Sequence, residues 1–278
     1  VSLLEVSGLS HDFGGVSAIN QLSFAVEEGE VFSVIGPNGA GKTTLFNLIT
    51  GIYKPASGRI LFAGGEVGGL PPFALARLGI SRTFQNLQIF FNMTAAENVM
   101  VGLHRHLDTR LLPTLFRFPS IARGDREAYQ EARRLLDFVG LLDFEDAAAD
   151  ELPYGALKRL ELARALATRP RLLLLDEPAA GLNATETHEI DTLIAKVAKS
   201  GVTVLLVEHD MKLVMGVSDR VLVLDYGRKL AEGSAVDVRA DPEVIAAYLG
   251  HAGSTLAQPP SVSRKEPGAP PIDVSGEA

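Results

Sequence analysis

The chain has 278 residues, room for one large domain or two small ones, and its 46% hydrophobic content is ample for a buried core. A formal charge of −8 and a pI near 5.3 argue against a general nucleic-acid binder, which would carry a basic face. There is no cysteine, which excludes a disulfide framework, a thiolate zinc site and a thiol nucleophile, and fits a reducing compartment.

The N-terminal residues Val1-Ser2-Leu3-Leu4-Glu5 show no basic region followed by an apolar stretch, so no signal peptide is expected. Up to about Phe84 the chain reads mostly as strands: residues 3–6, 22–26, 31–35 and 59–62, with glycine-rich turns between them. A helix is expected from Thr44, closed by Gly51. From 91 to 168 the pattern turns helical. Thr94-Ala95-Ala96-Glu97 has the form of a capping box. Residues 125–140 place Ala128, Ala132, Leu135, Leu136 and Val139 at helical spacing before the stop at Gly140. Segment 108–124 mixes apolar residues, prolines and arginines and is left unassigned.

From Pro170 strand and helix alternate. Residues 172–175 and 202–207 are apolar on both faces, as in central parallel strands. Apolar runs such as these are far short of a membrane span, so membrane association is expected through a partner. A helix is predicted over 185–199, a hairpin around Tyr226-Gly227, and a short helix over 242–249 with proline in its first turn. Residues 254–278 are proline-rich with few large apolar groups and read as a disordered tail. The expected organisation is one domain over 1–253, a helical subdomain inserted at about 87–165, and the tail. No internal repeat is visible.

The chemistry concentrates at two places. Gly36-Pro37-Asn38-Gly39-Ala40-Gly41-Lys42-Thr43-Thr44 fits G-x-x-x-x-G-K-[ST], after an apolar strand and before a helix. Such a loop turns backbone N–H groups around an anion, and the helix N-terminus adds partial positive charge. Lys42 would reach the β- and γ-phosphates, and the Thr43 hydroxyl would ligate Mg²⁺. The second place is the end of the apolar strand at Asp176-Glu177. A parallel sheet puts such an end at the ligand crevice. Asp176 would then hold Mg²⁺ through water, and Glu177 could polarise an attacking water. Without the phosphate loop, two solvated carboxylates at a strand end would be an equal reading.

With these residues the chain resembles the ATP-binding subunits of ABC transporters over roughly 3–250. Phe13 fits the aromatic that stacks on adenine. Gln85 fits the glutamine that contacts Mg²⁺ and the lytic water. Leu152-Pro153-Tyr154-Gly155 with Arg159-Leu160-Glu161 fits the signature motif, which places Tyr154 and Gly155 against nucleotide. Ala180-Gly181-Leu182-Asn183 fits the loop that crosses the dimer interface, and His209 in Val207-Glu208-His209-Asp210 fits the switch histidine. By residue type alone Phe13 reads better as core, Gln85 as a polar loop residue and His209 as structural; their order along one chain carries the resemblance.

The resemblance implies an α/β fold: a P-loop (RecA-like) ATPase core with an N-terminal antiparallel β portion and an inserted helical subdomain. It implies ATP and Mg²⁺ as cofactors and catalysis by Glu177, His209 and Gln85, with Thr43, Gln85 and Asp176 around the metal. It implies pairing with a second ABC ATPase, identical or paralogous, and docking on membrane permease subunits at the cytoplasmic face of the inner membrane. An external binding protein would select the substrate; no nucleic-acid partner is implied.

Arg82-Thr83-Phe84-Gln85, residues 178–183, 208–215 and 218–220, and the extra segment near 104–123 resemble the importers of branched-chain amino acids. The ATPase of lipopolysaccharide export is the nearby alternative. A soluble ABC ATPase acting on ribosomes or DNA, or a regulatory nucleotide-binding module, is the alternative of another class. One departure stands out. Pro153 sits where the family signature has a serine that meets the partner's γ-phosphate, and Ala156 and Leu157 replace polar residues. A working but slower site is expected, with an inactive half-site as the alternative.

Overall fold

The computed structural model describes residues 2–104 and 119–247. The segment expected to be an extra insertion at 104–123 falls mostly outside these, and the expected tail at 254–278 wholly so.

Two sheets organise the chain. The first is antiparallel, with strands in the order β2-β1-β4-β5, where β1 is Ser2–Phe13, β2 Val16–Glu27, β4 Ser57–Phe62 and β5 Gly65–Glu66. β1 and β2 run to 12 residues each, longer than the sequence suggested. Register shifts at Val6/Leu9 and beyond break the alternation that would have marked their far halves.

The second sheet has the order β10-β9-β3-β8-β7-β6. Its core strands are parallel: β3 Val31–Ile35, β6 Ile80–Arg82, β7 Leu172–Asp176, β8 Thr203–Val207 and β9 Arg220–Asp225. β10, Arg228–Gly233, closes the edge as the antiparallel hairpin expected around Tyr226-Gly227. Every residue of β3, β7 and β8 is buried, which is why these strands carry continuous apolar runs.

Alternation along these strands divides the core in two. Leu173, Leu175, Val204 and Leu206 face helices. Leu172, Leu174, Leu205 and Val207 face the antiparallel sheet and helix α1, Lys42–Ile49. This period of two is elementary strand geometry. A smaller cluster of Ile35, Val221, Val223 and Val238 lies under α8, Ala235–Ala240.

Between β6 and β7 the chain departs into helices: α3 Ala95–Leu103, α4 Pro119–Phe138 and α5 Tyr154–Ala167. The predicted capping box is present, with Thr94 accepting from the Glu97 N–H and the Glu97 carboxylate accepting from the Thr94 N–H. Ala128, Ala132, Leu136 and Val139 are buried as their spacing predicted. After β7 follow α6 Ala184–Lys199, α7 Met211–Val217 between β8 and β9, and, last among the described residues, a helix over 242–247. The short helices α2 (Pro72–Leu78), α7 and α8 were not anticipated. Six or seven residues are too few for a periodic signal, although Pro72 at the start and Gly79 at the end of α2 are capping signals.

Candidate functional site

The phosphate loop joins β3 to α1. Gly41 has φ of +104°, and a Cβ there would lie 2.5 Å from the Ala18 carbonyl oxygen, so only glycine fits. No side chain caps α1, which leaves its first N–H groups for an anion. Lys42 folds back over the loop and donates to the carbonyls of Gly36 at 2.7 Å and Pro37 at 3.0 Å. It is only 7% exposed. Burial lowers its pKa from the usual lysine value, while the carboxylates of Glu177 and Asp176 pull it back up. The ammonium is therefore buried, bonded to two neutral carbonyls, and in the field of the carboxylates at the end of β7.

Asp176 and Glu177 leave that strand end in different directions. Asp176 is buried and paired with Arg82. Glu177 has φ of +50°, uncommon for a residue with a side chain, and its N–H donates to the Val207 carbonyl at 2.9 Å. The carboxylate is held from two sides. Gln85 Nε2 donates to its Oε2 at 3.0 Å, and His209 Nε2 lies 2.8 Å from its Oε1. Three residues from distant points of the sequence thus meet at one carboxylate.

In the sequence Glu208 is only one letter of the motif that carries His209. It is buried and accepts from the N–H groups of Ala179 at 2.8 Å and His209 at 2.9 Å. It ties the loop after Glu177 to the segment after β8, and so fixes both partners of the Glu177–His209 contact. Arg82 enters the sequence only as part of a resemblance; its pairing with Asp176 has no local signal.

Phe13 is 45% exposed at the end of β1 and is not a core residue. Its ring stands edge-on to His11 at 4.6 Å and to Tyr53 at 5.3 Å, which makes a small aromatic wall at the surface. Tyr154 and Gly155 open α5, with Pro153 as an N-cap that offers no side-chain acceptor. The Tyr154 hydroxyl donates to the Ala180 carbonyl at 3.4 Å, and a Cβ on Gly155 would sit 2.6 Å from Glu186 Oε1. Within one chain these two residues therefore pack against the loop before α6 and its first turn.

A P-loop between strand and helix, a carboxylate-ended neighbouring strand and a glutamine and a histidine on one glutamate define a class, the nucleoside-triphosphate-hydrolysing cassettes. The ABC transporter family model matches residues 19–180, and a branched-chain amino acid ATP-binding cassette transporter model matches 228–254. The chain belongs to the ABC transporter ATP-binding family and is an ATPase of that family.

It is 52% identical over 251 residues to the high-affinity branched-chain amino acid transport ATP-binding protein BraF of Pseudomonas aeruginosa, covering 90% of this chain and 98% of BraF. It is 48% identical over the same shares to LivG of Escherichia coli K12, which bears the same description. A nucleotide-free ATP-binding cassette of an ABC transporter superposes with a TM-score of 0.78 at 32% identity, covering 89% of this chain and 99% of that one. The ADP conformation of MJ1267, an ATP-binding cassette of an ABC transporter, gives 0.79 at 33%, covering 90% and 99%. The expected fold class stands.

Proposed function

We propose that this chain is the ATP-hydrolysing subunit that energises an importer of branched-chain or related hydrophobic amino acids. The observation that carries the reading is the convergence of Gln85 and His209 on Glu177 beside a buried Lys42, in a chain 52% identical to BraF. The lipopolysaccharide-export and regulatory alternatives have no comparable support.

In this reading Lys42 and the N–H groups of the loop bind the phosphates, and Phe13 stacks on the base. The side chains suit Mg²⁺. Thr43 and Asp176 offer hard oxygen ligands, and among the described residues no cluster of three His, Asp or Glu could hold a metal alone. Mg²⁺ is usually held by one or two protein oxygens together with phosphate. When bound it would neutralise phosphate charge. Glu177 orients the water and accepts its proton, Gln85 holds that carboxylate in place, and His209 reaches the γ-phosphate.

Tyr154 and Gly155 are seated on Ala180 and Glu186, which suits a site completed by a second ATPase placed head-to-tail. The cassette would occupy residues 1–253. The described residues include no helix long and apolar enough to cross a membrane. A peripheral position at the cytoplasmic face, through permease subunits, follows from the reading.

The permease contact is assigned to the groove just after Gln85. Leu87, Gln88, Ile89, Phe90, Glu161 and Arg164 line a cavity of about 430 Å³. Ile89 in this lining is buried, whereas Phe90 and the adjacent Phe91 are 43% and 48% exposed. The groove would receive a short helix of the permease.

The test is uptake of labelled leucine by cells in which this chain is the sole such ATPase. Uptake should vanish with Lys42→Ala and with Phe90→Asp. Full leucine uptake by Lys42→Ala cells would overturn the reading.

A further inference from the structure

Asp176 does not stand alone. Arg82 Nη2 donates to its Oδ2 at 2.6 Å, and the two side chains are only 7% and 5% exposed. Arg82 ends β6, the strand paired with β7. Its Nη1 reaches α1, donating to Asn47 Oδ1 at 2.7 Å and Thr50 Oγ1 at 3.2 Å. The guanidinium lies 5.4 Å from the Phe46 ring centre and 5.1 Å from that of Phe84. One side chain therefore joins the helix that carries Lys42 and Thr43, the segment that leads to Gln85, and Asp176.

Stability is a poor account of this arrangement. A buried ion pair must overcome the loss of hydration, and apolar replacements are often as stable. Arg82 Nε is also buried with no hydrogen-bond partner, which is a further cost. What a guanidinium offers in return is geometry: its planar fork fixes several acceptors at once, which a flexible ammonium does not.

We propose that Arg82 is a positioning residue for the divalent cation. It holds Asp176 by Oδ2 and so presents Oδ1 to the cation's hydrating waters. Its anchor on Asn47 and Thr50 sets the spacing between that carboxylate and the helix of Lys42 and Thr43. The proposal rests on the reading of Asp176 as the carboxylate that faces the cation.

Arg82→Lys is the informative change, because it keeps the positive charge and removes the fork. The measured quantity is the coupling between cation and nucleotide. Binding of a non-hydrolysable ATP analogue to the full chain is titrated with Mn²⁺ and again in EDTA. The ratio of the two dissociation constants reports how strongly cation and nucleotide assist each other. Arg82→Lys should reduce that ratio about tenfold and leave binding in EDTA within about twofold. Asn47→Ala, which loosens the anchor without touching the ion pair, should reduce it about threefold, and carries the test should Arg82→Lys not fold.

Asp176→Asn separates the two levels. If Asp176→Asn leaves the ratio unchanged, Asp176 does not face the cation and the site assignment fails. If Asp176→Asn lowers the ratio while Arg82→Lys and Asn47→Ala change only the melting temperature, the pair is structural and the proposal alone fails. An equal loss in EDTA and in Mn²⁺ would place the action of Arg82 on the phosphate loop and also overturn it. In the Asp176→Asn background Arg82→Lys should add nothing further.

Discussion

At the scale of single residues, the site is a set of opposing charges held at close range. Lys42 is short of solvent and short of anions within its own loop, and the phosphates of ATP are the natural complement. Lys42→Ala should abolish tight ATP binding in a fluorescent-nucleotide titration. Phe13→Ala should weaken it only about fivefold, since a stacking contact is worth about 1 kcal/mol; an unchanged affinity would mean that Phe13 does not face the base.

Glu161 gives a pH test away from the chemistry. It is buried on α5, and burial raises its pKa above the usual carboxylate range, partly opposed by Lys158 and Arg164. The folded state therefore binds this proton more tightly than the unfolded state, whose value is about 4.3. The stabilisation is present below that value and is lost as pH rises through the higher folded-state value. Glu161→Gln should thus raise the melting temperature at pH 7.5 relative to wild type, and the gain should shrink by pH 4.5. A gain that does not depend on pH would show that Glu161 ionises normally.

At the scale of elements, the notable joint is between α5 and α6. Asn183 caps α6 by accepting from the N–H groups of Thr185 and Glu186, and Glu186 returns a bond to the Asn183 N–H. The same Glu186 packs against Gly155, and Tyr154 reaches the loop that Asn183 ends. Loss of a cap costs about 1 kcal/mol, so Asn183→Ala should lower the melting temperature by about 2–4 °C. Because the cap also seats Glu186 against Gly155, Asn183→Ala should reduce ATP turnover more than its stability cost implies. Normal turnover with the expected melting shift would leave the joint purely structural.

At the scale of the whole molecule, the parallel sheet brings four remote points together: the loop after β3, the segment after β6, the end of β7 and the residues after β8. Hydrolysis should depend on this meeting point while binding does not. A positioned base contributes about 10²–10⁴-fold, so Glu177→Gln should lose ATPase activity by that factor and still bind MgATP. With hydrolysis blocked, the nucleotide-bound pair should persist and elute as a dimer on size exclusion in MgATP. His209→Ala should lose turnover as well. Full ATPase activity in Glu177→Gln would remove Glu177 from the chemistry.

Local chemistry made some of this legible in the sequence. The phosphate loop is legible because only glycine permits its backbone path and only lysine reaches over it. β3, β7 and β8 are legible because a strand buried on both faces must be apolar throughout, and α3 because its capping box is a four-residue signal. Glu177 is legible as a carboxylate ending an apolar strand once the phosphate loop is recognised, whereas the candidate site residues Gln85 and His209 could be named only through resemblance, since nothing local distinguishes them from loop or structural residues. The tertiary structure decided the rest. It placed Phe13 at the surface, set Gln85 and His209 on the two oxygens of Glu177, buried Glu208 between two loops and paired Arg82 with Asp176 across 94 residues of chain. These are contacts between strand ends that meet only when the parallel sheet has formed. Periodicity within a short window encodes which face is buried, but not which distant carboxylate a polar side chain will find.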